Sequence, residues 1–151
     1  MEPTLQHGNM VVLNRFSYLF SEPSIGDIVA FPYPQDPSEY YIKRIIAGPG
    51  DLVDLRHFSP PGQIVDLRHF RFYVNNEPLD DRFSTYPVLV SGDVVFPVLV
   101  PENMFFVLGD NRNGSVDSRW QSVGTIYASD MVGRVAIRIW PFNAFGSVDP
   151  R

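Results

Sequence analysis

A run of β-forming residues that ends in a tight turn places the strongest constraint on the fold. Residues 40–47 read Tyr-Tyr-Ile-Lys-Arg-Ile-Ile-Ala and consist mostly of aromatic and β-branched side chains, which favour strands. Gly48-Pro49-Gly50 follows directly and predicts a turn. The sequence therefore predicts a buried strand that carries a lysine, Lys43, in its middle.

The chemistry of Lys43 depends on the face of the strand to which it belongs. On the inward face the ammonium loses water, and desolvation lowers the pKa of a lysine. A neutral lysine can take a proton from a serine hydroxyl, as in the Ser-Lys variants of the serine protease triad. On the outward face Lys43 is a solvated edge residue that prevents unwanted strand pairing. The strand alone leaves both interpretations open.

Short apolar runs separated by turn residues predict an all-β fold. The chain of 151 residues contains 14 prolines and 11 glycines, and no long segment has helical periodicity, although residues 122–131 are compatible with one or two helical turns. We expect one domain over residues 1–151, folded as a Greek-key barrel or as paired antiparallel sheets with little helix. The predicted strands are residues 10–14, 26–31, 40–47, 53–58, 72–74, 94–100, 104–108 and 133–140.

The composition excludes several classes of function. A net charge of -5 leaves no basic surface for nucleic acid, and the absence of cysteine rules out disulfides and thiolate sites. His7, His57 and His69 lack the spacing of metal ligands, so we expect no metal and no cofactor. No apolar run reaches the roughly 18 residues of a membrane span, and no signal peptide precedes the domain, so the chain alone is expected to be soluble.

A second polar stretch, residues 109–120, follows the apolar residues 104–108 directly. It reads Gly-Asp-Asn-Arg-Asn-Gly-Ser-Val-Asp-Ser-Arg-Trp and contains more charged, amide and hydroxyl side chains than a surface turn requires. One interpretation is a rigid loop that presents Ser115 to a partner group while Asp117 and Arg119 maintain its shape. The other is an Asx-rich surface loop with a solvated Asp–Arg pair, which contributes little to stability.

Taken together, these stretches resemble the bacterial type I signal peptidases. Residues 1–5 (Met-Glu-Pro-Thr-Leu) resemble the segment Ser-Met-x-Pro-Thr-Leu of the family from its second residue onward, and residues 26–29 resemble the next box. Residues 43–51 resemble the lysine box, and residues 109–119 resemble the loop signature. Residues 133–142 resemble the last strand. The order and spacing of these boxes cover nearly the whole chain.

The resemblance implies a role for each matching residue. Lys43 is the implied general base, and Ser115 is implied to hydrogen-bond its amine and orient it. Four residues in and near the loop are implied to have supporting roles, namely Arg44, Asp110, Asp117 and Arg119. Met1 and Pro3 are implied to contact the substrate, an extended signal peptide cleaved after small residues in the pattern Ala-x-Ala.

This sequence departs from the family at three places. The nucleophilic serine that should precede Met1 is not present, so we expect the 151-residue chain to be inactive and favour a truncated or late start over a true loss. Gly114 stands where the family usually has Asn, which is expected to loosen the loop. The hexapeptide Val-Asp-Leu-Arg-His-Phe occurs twice, at residues 53–58 and 65–70. One copy is surplus to the hairpin of the family, with a new loop tip at 59–62.

The resemblance also implies a cellular context. Family members are anchored by transmembrane helices upstream of the serine, with the catalytic domain on the extracytoplasmic face of the cytoplasmic membrane. The implied partners are pre-proteins with signal peptides and the surface of a lipid bilayer, and the oligomeric state is not implied. Two alternatives remain, a non-enzymatic β-domain that binds peptide or membrane and a soluble Ser-Lys self-cleaving regulator. The coding sequence upstream of Met1 would distinguish them.

Overall fold

The computed structural model describes residues 1–58, 69–80, 82–84 and 88–148, and it confirms the all-β class. The described strands form two antiparallel sheets. Within these described ranges, helical structure is limited to α1 (Ser17–Phe20) and two 3-10 turns, Ala128–Asp130 and Phe142–Ala144. The strands are β1 (Met10–Asn14), β2 (Ile28–Tyr33), β3 (Asp36–Ala47), β4 (Leu52–His57), β5 (Phe70–Val74), β6 (Glu77–Pro78), β7 (Val98–Leu99), β8 (Met104–Leu108), β9 (Ile126–Tyr127), β10 (Gly133–Trp140) and β11 (Gly146–Ser147).

The larger sheet has the strand order β1-β10-β2-β3-β8-β9, with β11 also paired to β10, and the smaller sheet has the order β6-β5-β4-β7. The predicted lysine strand is β3, which lies inside the larger sheet between β2 and β8. Its pairing with β2 runs from Ile28↔Arg44 to Tyr33↔Asp36, whereas its pairing with β8 begins only at Arg44↔Leu108. Residues 36–43 of β3 therefore have no strand partner on the β8 side among the described residues.

Three buried apolar clusters hold the sheets together, because alternate residues of each strand face opposite sides. Val29, Phe31 and Ile45 contribute to a cluster on one face of the larger sheet. Ile46, Phe72 and Phe106 contribute to a second cluster, which joins the two sheets. The third cluster packs the N-terminal segment against the larger sheet and consists of Leu5, Ile28, Val135 and Val148, with Met1, Val11, Leu13 and Ile42 at its margin.

Two sequence predictions differ from the structure. Residues 94–100 contain only the two-residue strand β7, since prolines 97 and 101 lack the N–H that a longer ladder needs. Residues 122–131 contain strand β9 and only one helical turn, the 3-10 turn Ala128–Asp130. The other predicted strands lie within one to three residues of their observed bounds, except that β3 begins four residues earlier.

The hairpin of β4 and β5 contains the repeated hexapeptide. The first copy forms β4 and pairs with β5 in the register Val53↔Val74, Asp54↔Tyr73, Leu55↔Phe72 and Arg56↔Arg71. The turn predicted at Asn75-Asn76 is present, with φ of 53° and 68°. Only His69 and Phe70 of the second copy lie within the described residues, and the predicted loop tip at 59–62 lies outside them.

No helix in the described part of the chain is long and apolar enough to cross a membrane.

Candidate active site

Lys43 lies on the same face of β3 as Tyr41 and Ile45, opposite Val29 of β2. Its side chain is largely buried, and its Nζ lies 5.0 Å from the centroid of the Tyr41 ring. Burial lowers the pKa of Lys43; Asp117 acts in the opposite direction, and Arg119 lowers the pKa further. The position of Lys43 therefore agrees with the inward-facing lysine rather than with a solvated edge residue.

The loop after β8 brings Ser115 to the same place. A Cβ at Gly109 would lie 2.2 Å from Ser115 Oγ and 3.7 Å from Lys43 Nζ, so both side chains end in the space above Gly109. Any larger residue at position 109 would collide with Ser115. The Ser115 hydroxyl is buried and has no hydrogen-bond partner among the described residues. The expected hydrogen bond between Ser115 and Lys43 is thus not formed, because the amine lies instead over the Tyr41 ring.

The amino group of Met1 is the third group at this place. Burial lowers its pKa, the charge of Lys43 lowers it further, and the charge of Asp110 raises it. The Leu5 N–H donates to the Met1 carbonyl at 3.0 Å and closes residues 1–5 into a turn. The charge of Lys43 thus reaches the Met1 amine, which places the two groups in the same part of the molecule.

Arg44 points to the opposite face of β3 and forms a buried ion pair with Asp110. Its Nε and Nη2 donate to the two carboxylate oxygens at 2.9 and 2.8 Å, and its Nη1 donates to the Gly26 carbonyl at 2.9 Å. The guanidinium also stacks on the Phe83 ring, 3.7 Å from its centroid. This bidentate geometry fixes the start of the 109–119 loop against the strand that carries Lys43.

Asp117 and Arg119 form a second buried ion pair within the loop. Arg119 Nε and Nη2 donate to the two Asp117 carboxylate oxygens at 2.8 and 2.9 Å, and Asp117 also accepts the Gly109 N–H at 3.1 Å. Arg119 further donates to the carbonyls of Val90, Arg112 and Ser115. Because both side chains are fully buried, the solvated pair considered from the sequence is wrong.

The loop is also closed at Gly114, where the sequence led us to expect loosening. The Gly114 N–H donates to both the side-chain and the backbone oxygen of Asn111, at 3.1 and 3.2 Å. A Cβ at this position would lie 3.1 Å from Asn111 Nδ2. Gly114 therefore allows a tight turn with Asn111 next to Ser115, and the expected loosening relative to Asn stays a prediction.

The two residues implied in substrate contact lie in different surroundings. The Met1 side chain packs at the margin of the cluster that contains Leu5 and Ile28. Pro3 is exposed and lines a cavity of about 390 Å³ on the side of Arg82 and Arg138. Only Met1 is thus shown close to Lys43.

Sequence reasoning missed three residues of this site. Thr4 contacts the Arg44–Asp110 pair, Arg112 donates to the Gly109 carbonyl, and Arg138 holds the Thr4 carbonyl. Thr4 and Arg112 lie inside the boxes of the resemblance, which was the available signal. Arg138 also lies in a resembling stretch, residues 133–142, but it was assigned no role from the sequence.

Comparison with known proteins agrees with this geometry. The model of the family "Signal peptidase, peptidase S26" matches residues 1–140. The chain belongs to this family. The family removes signal peptides from exported proteins and consists of hydrolases of the serine protease class, so the chain is an enzyme of that class at the family level.

Individual members of the signal peptidase family show how far the similarity extends. The chain is 33% identical over 158 residues to signal peptidase I of Leptolyngbya laminosa, covering 99% of this chain and 69% of that protein. It is 34% identical over 152 residues to thylakoidal processing peptidase 1 of Arabidopsis thaliana, covering 93% of this chain but 39% of that protein. The crystal structure of a signal peptidase I from Enterococcus faecalis superposes with a TM-score of 0.56 at 26% identity, covering 77% of this chain and 98% of that chain.

Proposed function

We propose that this chain is the catalytic domain of a serine endopeptidase that removes signal peptides and uses Lys43 as its general base. The observation that carries the proposal is the meeting of the Lys43 amine and the Ser115 hydroxyl above Gly109, and the Met1 amine is near enough for the charge of Lys43 to lower its pKa. Membership of the signal peptidase family supports the reaction class.

The nucleophile in this proposal is a serine attached to the Met1 nitrogen. Burial lowers the pKa of Lys43 and so favours its neutral form, which accepts the proton of the serine hydroxyl as the oxygen attacks the scissile carbonyl. The amine returns that proton to the leaving amine, and it then activates the water that hydrolyses the acyl-enzyme. Ser115 orients the amine during these steps, and its unpartnered hydroxyl is available for that hydrogen bond.

The unpaired edge of β3 supplies a binding mode for an extended substrate. Residues 36–43 lack a strand partner on the β8 side among the described residues, and this edge ends at Lys43. A peptide that adds to the edge as a strand brings its scissile bond to the lysine. Met1 and Pro3 flank this position in the proposal, and the small side chains of an Ala-x-Ala sequence suit the limited space around Met1 and Ile42.

The location in this proposal is the extracytoplasmic face of the cytoplasmic membrane, with the domain in contact with lipid. An aromatic surface, defined as Trp140, Phe142 and Phe145, lies exposed at the end of β10, and Phe16 and Phe20 are exposed at the opposite end of the β1–β10 pair. Trp140 and Phe142 contact each other with ring centroids 4.7 Å apart. Exposed aromatic groups of this size are favoured at a membrane interface.

The proposal is tested by adding a serine before Met1 and measuring cleavage of an Ala-x-Ala peptide. We expect cleavage by the extended chain and its loss in Lys43→Ala. The 151-residue chain beginning at Met1 lacks the nucleophile and is expected to leave the peptide intact. Lys43-dependent cleavage by that chain would contradict the proposed nucleophile. Peptide binding without cleavage by the extended chain would instead indicate a non-enzymatic β-domain.

A further inference from the structure

Thr4 contacts both members of the buried pair that fixes the loop to β3. Its hydroxyl donates a hydrogen bond to Asp110 Oδ2, and Arg44 Nη2 lies 3.5 Å from the same hydroxyl oxygen. Asp110 and Arg44 are almost completely buried, with side-chain exposures of 0% and 1%. Thr4 is therefore tied to a charge-assisted network that cannot move without breaking buried contacts.

The backbone of Thr4 is held from the other side. Arg138 of β10 donates from Nη1 to the Thr4 carbonyl at 3.2 Å, and from Nε to the Ala144 carbonyl at 2.7 Å. The buried Leu5 side chain and the hydrogen bond from the Leu5 N–H to the Met1 carbonyl complete the turn. Among the described residues, Thr4 is the only member of this turn whose side chain hydrogen-bonds to the strand and loop that carry Lys43 and Ser115.

These contacts connect Thr4 with the reacting groups without bringing it into contact with them. Arg44 follows Lys43 on β3, and Asp110 follows Gly109, above which Ser115 and Lys43 meet. From these contacts we infer that Thr4 is a positioning residue: its hydroxyl fixes the N-terminal turn on the Arg44–Asp110 pair and so holds the residue attached to Met1 against Lys43. The inference rests on the proposed function for its catalytic consequence, but not for its structural one.

The structural consequence is tested without any assay of activity. Lys43 is the only lysine in the sequence, so reductive methylation with 13C-formaldehyde labels two groups, Lys43 and the Met1 amine. In the 151-residue protein we expect the NMR titration of the Met1 amine to have a midpoint below the ordinary value for an N-terminus. Thr4→Val removes the hydroxyl at nearly constant shape, and it should raise that midpoint towards the ordinary value because the amine becomes hydrated.

Two variants serve as controls for this titration. Thr4→Ser restores the hydroxyl and should restore the midpoint of the unsubstituted protein. Thr125→Val removes a half-buried hydroxyl that contacts Met104 Sδ, away from the site, and should leave the midpoint unchanged. A folded Thr4→Val protein with an unchanged Met1 midpoint would overturn the inference. If Thr4→Val does not fold, Thr4→Ala is used in its place, and failure of both to fold would show a structural role instead.

The catalytic consequence is tested in the chain extended by a serine before Met1. Because a misplacement of about 1 Å can reduce the rate about a hundredfold, we expect Thr4→Val to lower kcat about tenfold to a hundredfold. The value of KM should change little, since the β3 edge is intact, and Thr4→Ser should recover kcat. A change in KM alone would overturn the inference. If the unsubstituted extended chain does not cleave the peptide, the proposed function fails, while the Met1 titration still decides whether Thr4 positions the turn.

Discussion

Lys43 is an amine in surroundings that disfavour its charge. Burial among Tyr41, Val29 and the 109–119 loop lowers its pKa, although the neighbouring Asp117 favours the ammonium form. An unfolded chain hydrates Lys43 and restores its ordinary pKa. The lysine therefore decreases the stability of the fold at neutral pH, as expected for a group retained for its reactivity.

Replacement of Lys43 by methionine should stabilise the protein. Between the lowered folded-state pKa and the ordinary lysine pKa, the unfolded state binds a proton that the folded state does not, so the free energy of unfolding rises with pH across that window. Lys43→Met removes the unfavourable charge and should raise the free energy of unfolding at pH 7 by about 1 kcal/mol. Urea denaturation from pH 7 to 10 would check this. Equal stability of both proteins at pH 7 would contradict it.

The buried Asp117–Arg119 pair should matter more than an exposed pair of the same type. Asp117→Ala leaves the Arg119 charge buried without its carboxylate, and we expect a loss of about 3–5 kcal/mol in the free energy of unfolding. Asp80 and Arg82 form a matched pair with side-chain exposures of 64% and 62%, so Asp80→Ala should leave the denaturation midpoint unchanged. Similar midpoints for the two variants in urea would show that the loop does not depend on the buried pair.

Among the elements, the β4–β5 hairpin shows where the repeated hexapeptide is accommodated. Residues 53–56 pair with residues 71–74, and residues 65–68 of the second copy have the same sequence as residues 53–56. Removal of residues 57–68 would join Arg56 directly to His69. His69-Phe70 would then form the turn that connects the paired residues Arg56 and Arg71. Removal of residues 53–64 produces the identical chain. The register of the hairpin is therefore compatible with the insertion inferred from the sequence.

Deletion of these twelve residues should preserve the fold and the site. The hairpin belongs to the smaller sheet and Lys43 to the larger one, so we expect the titration of Lys43 to stay the same. A shorter loop costs less entropy to close, which limits the change in stability to about 1 kcal/mol and the change in Tm to about 2–4 °C. A Gly-Ser segment of equal length in place of 57–68 separates the effect of length from that of sequence. A displaced Lys43 midpoint after the deletion would contradict this prediction.

At the scale of the whole molecule, the exposed aromatic surface and the site share the larger sheet. Phe142 follows β10, which pairs with β1, β2 and β11, and β2 in turn pairs with the strand of Lys43. Phe142 and Phe145 are 75% and 65% exposed, which is a large apolar area for a protein with a net charge of -5. A membrane contact at this surface would hold the open edge of β3 at a fixed orientation to the bilayer.

Binding to vesicles tests this arrangement. Phe142→Ser should lower the partition of the protein onto zwitterionic vesicles about tenfold, since a buried aromatic side chain contributes roughly 1.5–3 kcal/mol. Leu99→Ser is the matched control, because Leu99 is also exposed, at 64%, but lies on β7 of the other sheet. Sedimentation with vesicles measures both. Equal partition of the Phe142 and Leu99 variants would contradict a membrane contact at the aromatic surface.

The local sequence pattern was sufficient to predict most of the strands and to identify the candidate site residues. The β-forming run around Lys43 and the turn at Asn75-Asn76 appear as predicted, because strand propensity and turn chemistry act over a few neighbouring residues. The boxes around Lys43 and Ser115 also named the groups that the fold brings together. The strand predicted over residues 94–100 was wrong because its prolines interrupt the ladder of backbone hydrogen bonds.

Tertiary contacts alone decided how deeply these groups are buried and which residues hold them. Three properties depend on residues up to 134 positions apart in the chain: whether Asp117–Arg119 is solvated, whether Ser115 bonds Lys43, and which backbone carbonyl Arg138 holds. The sequence pattern along a single strand cannot reveal these contacts. The free-energy cost of burying a charged or hydroxyl group depends on how much water is excluded from it by segments that are distant in the sequence. The identity of the site groups is thus local information, whereas their reactivity is a property of the folded chain.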